Sequence, residues 1–348
     1  MKELKDRTAK ALEDKIPFVI YKEPNAEFCK AIFQQDNKTY FSSNFSENGF
    51  VFAPFNSDEK TLLIPFSIAD EFSFKTDDIT TSFASEIKNN TSEIEREQHE
   101  KLVQKGIDFI VNSTADKVVL SRKELVAIDD CDIFEIYQRL LVNYPTAYVY
   151  LWFHPVSGLW MGATPELLVS SDNQRFKIMA LASTQEYNGT LDVNWNEKEL
   201  QEHQFVIDYI VSQLTDYKLR VSEIYTVKAG DLVHLRADIS GEIYDVNFNL
   251  SELVKMLHPT SATCGFPKEK AKEFILKNEQ YNREYYTGFL GEINNSASDL
   301  YVNLRCMKVD VEKQQISLYI GGGITKDSNP NAEWLETVAK SKVMKKVL

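Results

Sequence analysis

The chain has 348 residues, 43% hydrophobic and 26% charged, a globular composition with ample length for a buried core. A formal net charge of −13 leaves no basic stripe to meet phosphates, which excludes nucleic acid as an expected partner. Four cysteines (Cys29, Cys131, Cys264, Cys306) lack CxxC spacing, and no run approaches 18 apolar residues. The reading is therefore a cytoplasmic protein with free thiols, no signal peptide and no membrane span.

Length alone suggests about two domains. Residues 1–110 alternate aromatic-rich runs such as "GFVFAPF" and "TLLIPF" with polar turns and read as strands. Residues 92–112 read as a helix, with Ser92 and Glu95 spaced for a capping box. Then follow a strand "KVVLSR", a helix over 131–143, and strands "AYVYLWFHP" and "GLWMGA". A long helix is expected over 196–217, strands over 224–245, helices over 249–257 and 267–278, and closing strands over 298–309 and 315–320. Strands dominate and do not alternate regularly with helices, which predicts an α+β fold rather than a doubly wound sheet.

Two helix-like runs carry paired glutamates three residues apart: Glu199 and Glu202 in "KELQEHQFVID", Glu333 and Glu336 in "NAEWLETVAK". Such spacing puts both carboxylates on one helix face. Solvated acid on an amphipathic helix is the ordinary explanation. The sharper one is that the two helices face each other across a hard divalent cation, Mg2+, which takes oxygen ligands and keeps open positions. Zinc fits poorly, because "ELQEH" has Glu199 where an HxxEH pattern needs histidine. Upstream of the second pair, Gly321–Gly323 would let a backbone approach a ligand closely or form a structural bulge.

Eight stretches, in order, resemble the chorismate-utilising enzymes: "KVVLSR", "GATPELLV", "ALAST", "KELQEHQFVID", "HPTSATCGFP", "REYYTGFLGEIN", "YVNLRCMKV" and "GGGITKDSNPNAEWLETVAKSKVM". They span roughly residues 115–348, leaving 1–114 as a divergent N-terminal part. The resemblance implies one large α+β domain of two stacked antiparallel sheets with helices outside, chorismate as substrate, and Mg2+ dependence. Glu202 and Glu336 look like direct metal ligands, Glu199 and Glu333 like water-mediated ones. Lys340 resembles a lysine near the same substrate carboxylate, and Gly321 a backbone nest for a carboxylate oxygen. Arg305 resembles the arginine that holds the enolpyruvyl carboxylate by fork-on-fork pairing. Tyr286 resembles its companion, with Tyr285 the neighbouring alternative.

By the same resemblance, Lys117 is the base that deprotonates a water attacking C2, and Glu166 the acid that protonates the departing C4 hydroxyl. A lysine base requires a lowered pKa. Ammonia-using members typically lack this lysine, so no glutamine amidotransferase subunit is expected. Ala262 matches isochorismate synthases, whereas salicylate synthases tend to carry threonine. His258 is expected toward the C4 hydroxyl or the ring, with a backbone hydrogen bond as the alternative. In Ala182-Ser183-Thr184 the family usually has glycine at the middle position, so either the local φ is permissive or the pocket is altered. The resemblance implies an isochorismate synthase. The rivals are a salicylate synthase and a non-catalytic chorismate- or metal-binding protein.

Overall fold

The computed structural model describes residues 2–76, 81, 92–128, 132–172, 174–230, 232–243, 249–294 and 297–348. Among them are seven α-helices: α1 (Lys2–Glu13), α2 (Glu93–Val111), α3 (Ile133–Asn143), α4 (Glu197–Gln213), α5 (Leu250–Leu257), α6 (Lys268–Asn278) and α7 (Pro330–Lys345). The early strands are β1 (Phe18–Lys22), β2 (Phe28–Gln34), β3 (Tyr40–Ser42), β4 (Gly49–Ala53), β5 (Thr61–Pro65) and β6 (Ala69–Lys75). The middle ones are β7 (Lys117–Ala127), β8 (Tyr148–His154), β9 (Gly158–Thr164), β10 (Leu167–Asp172), β11 (Arg175–Glu186), β12 (Leu219–Val221), β13 (Tyr225–Ala229) and β14 (Leu232–Glu242). The last are β15 (Gly265–Phe266), β16 (Phe289–Ile293), β17 (Ala297–Val302), β18 (Cys306–Asp310) and β19 (Gln315–Ile324).

The strands form two sheets, ordered β15-β7-β19-β18-β9-β8-β1-β2-β6 and β12-β14-β11-β10-β17-β16-β4-β5-β3, with β13 paired to β14. Neighbouring strands run antiparallel, for example β19 on β7 and β11 on β14. The sheets stack through an aromatic layer: Tyr148, Tyr150, Trp152 and Trp160 from the first meet Phe50 and Phe52 from the second. Phe52 lies 5.0 Å from Trp152, and Tyr148 stacks 4.2 Å from Tyr301. Each such ring buries a large apolar area, so this layer glues the sheets. On the outer faces, α3 and the end of α7 cover the first sheet, and α4 and α5 cover the second. Covering both faces explains why β1, "FVIYK", is buried along its whole length instead of alternating. The fold is the expected α+β sandwich.

Several elements differ from the sequence reading. Residues 2–13 form a helix, not a strand; Leu4, Thr8, Ala11 and Leu12 have helical spacing and turn toward the first core. Helix α2 starts after Ser92 as expected, but Ser92 makes no side-chain cap; Arg96 instead pairs with Glu93 and Glu100 across the first two turns. Helix α4 stops at Gln213, short of 217. Cys131 and residues 244–245 lie outside the described residues. The run 298–309 is two strands in different sheets, β17 and β18, and the chain crosses between sheets at Asn303–Arg305. A second crossing, at Pro165–Glu166, joins β9 to β10. The two crossings run side by side: Thr164 Oγ1 donates to the Val302 carbonyl at 2.5 Å, Val302 N–H to the Glu166 carbonyl at 2.9 Å, and Ala163 N–H to the Arg305 carbonyl at 3.1 Å. Glu166 and Arg305 are thus delivered together by topology.

Candidate active site

Strand β19 continues through all three glycines, in unbroken register with β7: Gly321 opposite Ser121, Gly322 opposite Leu120, Gly323 opposite Val119. None has positive φ, so they form neither a left-handed nest nor a bulge, which corrects those two forms and leaves the close approach of the backbone in place. Their missing side chains make room instead. A Cβ on Gly321 would lie 2.9 Å from the Tyr286 hydroxyl, and one on Gly322 3.2 Å from Glu333 Oε2 and 3.9 Å from Glu336 Oε1. A Cβ on Gly323 would lie 2.7 Å from Lys117 Cε. Tyr286 stacks on Tyr319 at 5.4 Å, while Tyr285 stacks on Phe52 at 4.3 Å between the sheets. Tyr286, not Tyr285, is therefore the tyrosine whose hydroxyl stands beside Gly321.

Lys117 opens β7. Burial pushes its pKa down and the Lys340 ammonium adds to that, while Glu202, Glu166 and Glu336 pull it up. Lys117 thus feels charges carried by α4, α7 and the Pro165–Glu166 crossing. Lys340 Nζ sits 2.6 Å from Glu336 Oε1 and donates to the Gly321 carbonyl at 3.1 Å. Glu166 is 6% exposed. Burial pushes its carboxyl up to about 8, against the opposing pull of Lys117 and Arg305. Beside it a small cavity is lined by residues including Leu181, Val206, Tyr209, Ser261 and Ala262.

Arg305 has φ +47, a left-handed turn at the sheet crossing. It donates to the Ala229 carbonyl at 3.1 Å and to His234 Nε2 at 2.9 Å. A guanidinium only donates, so Nε2 accepts and Nδ1 carries the proton. Nδ1 faces the Ser183 carbonyl at 3.2 Å and Thr184 Oγ1 at 3.1 Å. Burial first, then the Arg305 charge, push His234 down to about 3, so it is neutral. His234 was missed in the sequence; the signal available was a histidine inside the apolar run "LVHLRADI". His258 instead approaches the Pro54 carbonyl at 3.2 Å and packs edge-on against Phe289. That is the backbone-bonded alternative; the histidine on the site residues is His234.

Ser183 is the extra residue of a bulge: Ala182 opposes Leu235 and Thr184 opposes His234. Its φ is +56, which explains why glycine suits the position. Glu199 closes a capping box with Asn196 at the start of α4, and its carboxylate accepts from Gln185 Nε2 at 2.9 and 3.0 Å. The four glutamates offer hard oxygen donors of the kind Mg2+ takes, and Gly322 leaves an open cradle beside Glu333 and Glu336, so the donor set fits that cation. Among the described residues no three of them stand close enough to form a ready-made cation cage.

The family model described as "Chorismate binding enzyme" matches residues 55–348. The chain belongs to the chorismate binding enzyme family. Among similar members, the isochorismate synthase DhbC of Bacillus subtilis is 29% identical over 271 residues, covering 72% of this chain and 67% of that protein. The isochorismate synthase EntC of Escherichia coli K12 is 29% identical over 72% of this chain and 66% of its own length. Anthranilate synthase component 1 of Aeropyrum pernix is 28% identical over 77% of this chain and 63% of its own length. The match thus spans about two thirds of these relatives. Among solved structures, a Bacillus anthracis protein assigned as a 2,3-dihydroxybenzoate-specific isochorismate synthase, DhbC, superposes over 99% of both chains with TM-score 0.79 at 24% identity. The menaquinone-specific isochorismate synthase MenF of E. coli superposes over 96% of this chain and 89% of its own, also with TM-score 0.79, at 17% identity. At these identities the superpositions establish the fold alone. No helix among the described residues is long and apolar enough to cross a membrane.

Proposed function

We propose that this chorismate binding enzyme is an isochorismate synthase that needs Mg2+. The observation that carries the reading is the opposed pair: burial lowers Lys117 and raises Glu166 to about 8 within one site. Each shift moves its group toward the state its role requires at neutral pH, a neutral base and a protonated acid. Lys117 takes a proton from water as its oxygen bonds to C2. The ring double bonds shift, the C4–O bond breaks, and Glu166 supplies the proton that lets the hydroxyl leave as water. One water enters and one leaves, and a proton then returns from Lys117 to Glu166. Arg305, held by His234, pairs with the enolpyruvyl carboxylate. The Tyr286 hydroxyl and the Lys340 ammonium flank the same end of β19.

Glu202 and Glu336 would hold Mg2+ directly, and Glu199 and Glu333 through water. Bound there, Mg2+ would offset the charge of the ring carboxylate and of the glutamates around it. Lys117 favours water over ammonia as nucleophile, so no amidotransferase subunit is part of this reading. Ala262 favours release of isochorismate over further conversion to salicylate. Incubating the protein with chorismate and Mg2+ and separating the products by chromatography tests this. Isochorismate is expected; salicylate with pyruvate, or anthranilate when ammonia is supplied, would replace the reading.

A further inference from the structure

We propose that Ser183 and Gln185 form a clamp that fixes the first turn of α4 and thereby sets the aim of Glu202. The clamp rests on the reading above of Glu202 as a cation ligand. Ser183 Oγ donates to the Glu199 main-chain carbonyl at 2.8 Å, and two residues on, Gln185 Nε2 reaches both Glu199 carboxylate oxygens at 2.9 and 3.0 Å. One strand therefore grips one helical residue by its backbone and its side chain. Glu202 follows Glu199 by about one turn, on the same face, and acts on Lys117.

The grip matters because, among the described residues, nothing apolar anchors this end of the helix. Residues 197, 200 and 201 are exposed and 199 and 202 only partly covered; the first buried side chain is His203, which approaches the Ala180 carbonyl at 3.1 Å, and the apolar anchors Val206, Ile207 and Ile210 come later. A first turn leaves backbone donors unpaired and frays unless something holds it. Asn196 caps it, and Ser183 and Gln185 pin it to β11. The position also explains its residue. A glycine would take φ +56 without steric cost but has no hydroxyl to donate; serine accepts the left-handed backbone and supplies the donor. Ser183 is thus a positioning residue that acts through Glu199 on Glu202.

The test uses Ser183→Ala, which keeps the Cβ and loses the hydroxyl, and Ser183→Gly, which also relieves the backbone. Amide hydrogen exchange of the metal-free protein reads the first turn of α4, and calorimetric titration with Mg2+ alone reads the cation site. Both variants are expected to exchange about fivefold faster over residues 200–203 and to bind Mg2+ about fivefold more weakly, the effect of one lost hydrogen bond, with an unfolding midpoint within about 2 °C of wild type. Gln185→Ala should act in the same direction. Wild-type exchange and wild-type Mg2+ affinity in both Ser183 variants would overturn the clamp. If the wild-type protein itself binds no Mg2+, the reading of Glu202 as a ligand fails, while the exchange rates still decide whether the clamp exists.

Discussion

Replacing Gly323 with alanine isolates the placement of Lys117. The new Cβ would stand 2.7 Å from Lys117 Cε and 3.4 Å from Nζ. Carbon atoms settle at about 3.5–4.0 Å, so the lysine end must move by about 1 Å. It can do so, because Cε is the far end of a flexible side chain and the backbone register of β19 on β7 is untouched. Folding should therefore survive while the base leaves its position. A displacement of about 1 Å costs on the order of 10²-fold in rate. Gly323→Ala is expected to lose about two orders of magnitude in kcat at saturating chorismate and Mg2+, with an unchanged thermal midpoint. Gly288→Ala is the contrasting control: its Cβ would lie 2.0 Å from the Ala53 carbonyl oxygen, which cannot swing aside, so it should lose stability. A Gly323→Ala enzyme that turns over at the wild-type rate would refute the assignment of Lys117 as the positioned base.

Lys117→Ala and Glu166→Gln should each cut conversion by about two to four orders of magnitude in both directions, since the reverse reaction uses the same groups in swapped roles; feeding each variant chorismate or isochorismate checks this. Glu202→Gln and Glu336→Gln should stay folded yet bind Mg2+ too weakly for turnover at ordinary concentrations, as read by titration with the metal and by activity in excess chelator. The rate should fall as pH rises through about 8, because the raised Glu166 carboxyl ionises there and can no longer donate. Burial lowers the pKa of Lys117 and so moves it toward the neutral form that a base requires. A rate that keeps climbing above pH 9 would remove Glu166 as the acid.

The α+β class and the two glutamate-bearing helices were legible because local spacing encodes them. Helix α7 begins at Asn329 and Pro330, a capping residue and a first-turn proline, so its start can be read directly. Apart from α1, whose helical spacing is local, what escaped depends on partners distant in the chain. Cys306–Asp310 and Ala297–Val302 read as one run because a three-residue crossing between stacked sheets leaves no breaker; Arg305 itself takes the left-handed turn. The glycines signalled close approach, but the residues that approach, Tyr286, Glu333 and Lys117, are known only from the packing. His234 and His258 are equally plausible as sequence, and only strand pairing puts one beside Arg305 and the other beside Pro54. Family resemblance located Ser183 as a departure; its bond to Glu199 required the fold.

If Lys117 activates a solvent water while Glu166 expels the C4 hydroxyl, the new hydroxyl oxygen comes from solvent. Brief turnover of chorismate in 18O-enriched water, with mass analysis of the isochorismate formed before the reverse reaction matters, tests it most directly. One heavy oxygen is expected at the C2 hydroxyl of the new product, in proportion to the 18O content of the water. Unlabelled isochorismate, its hydroxyl carried over from C4, would contradict it.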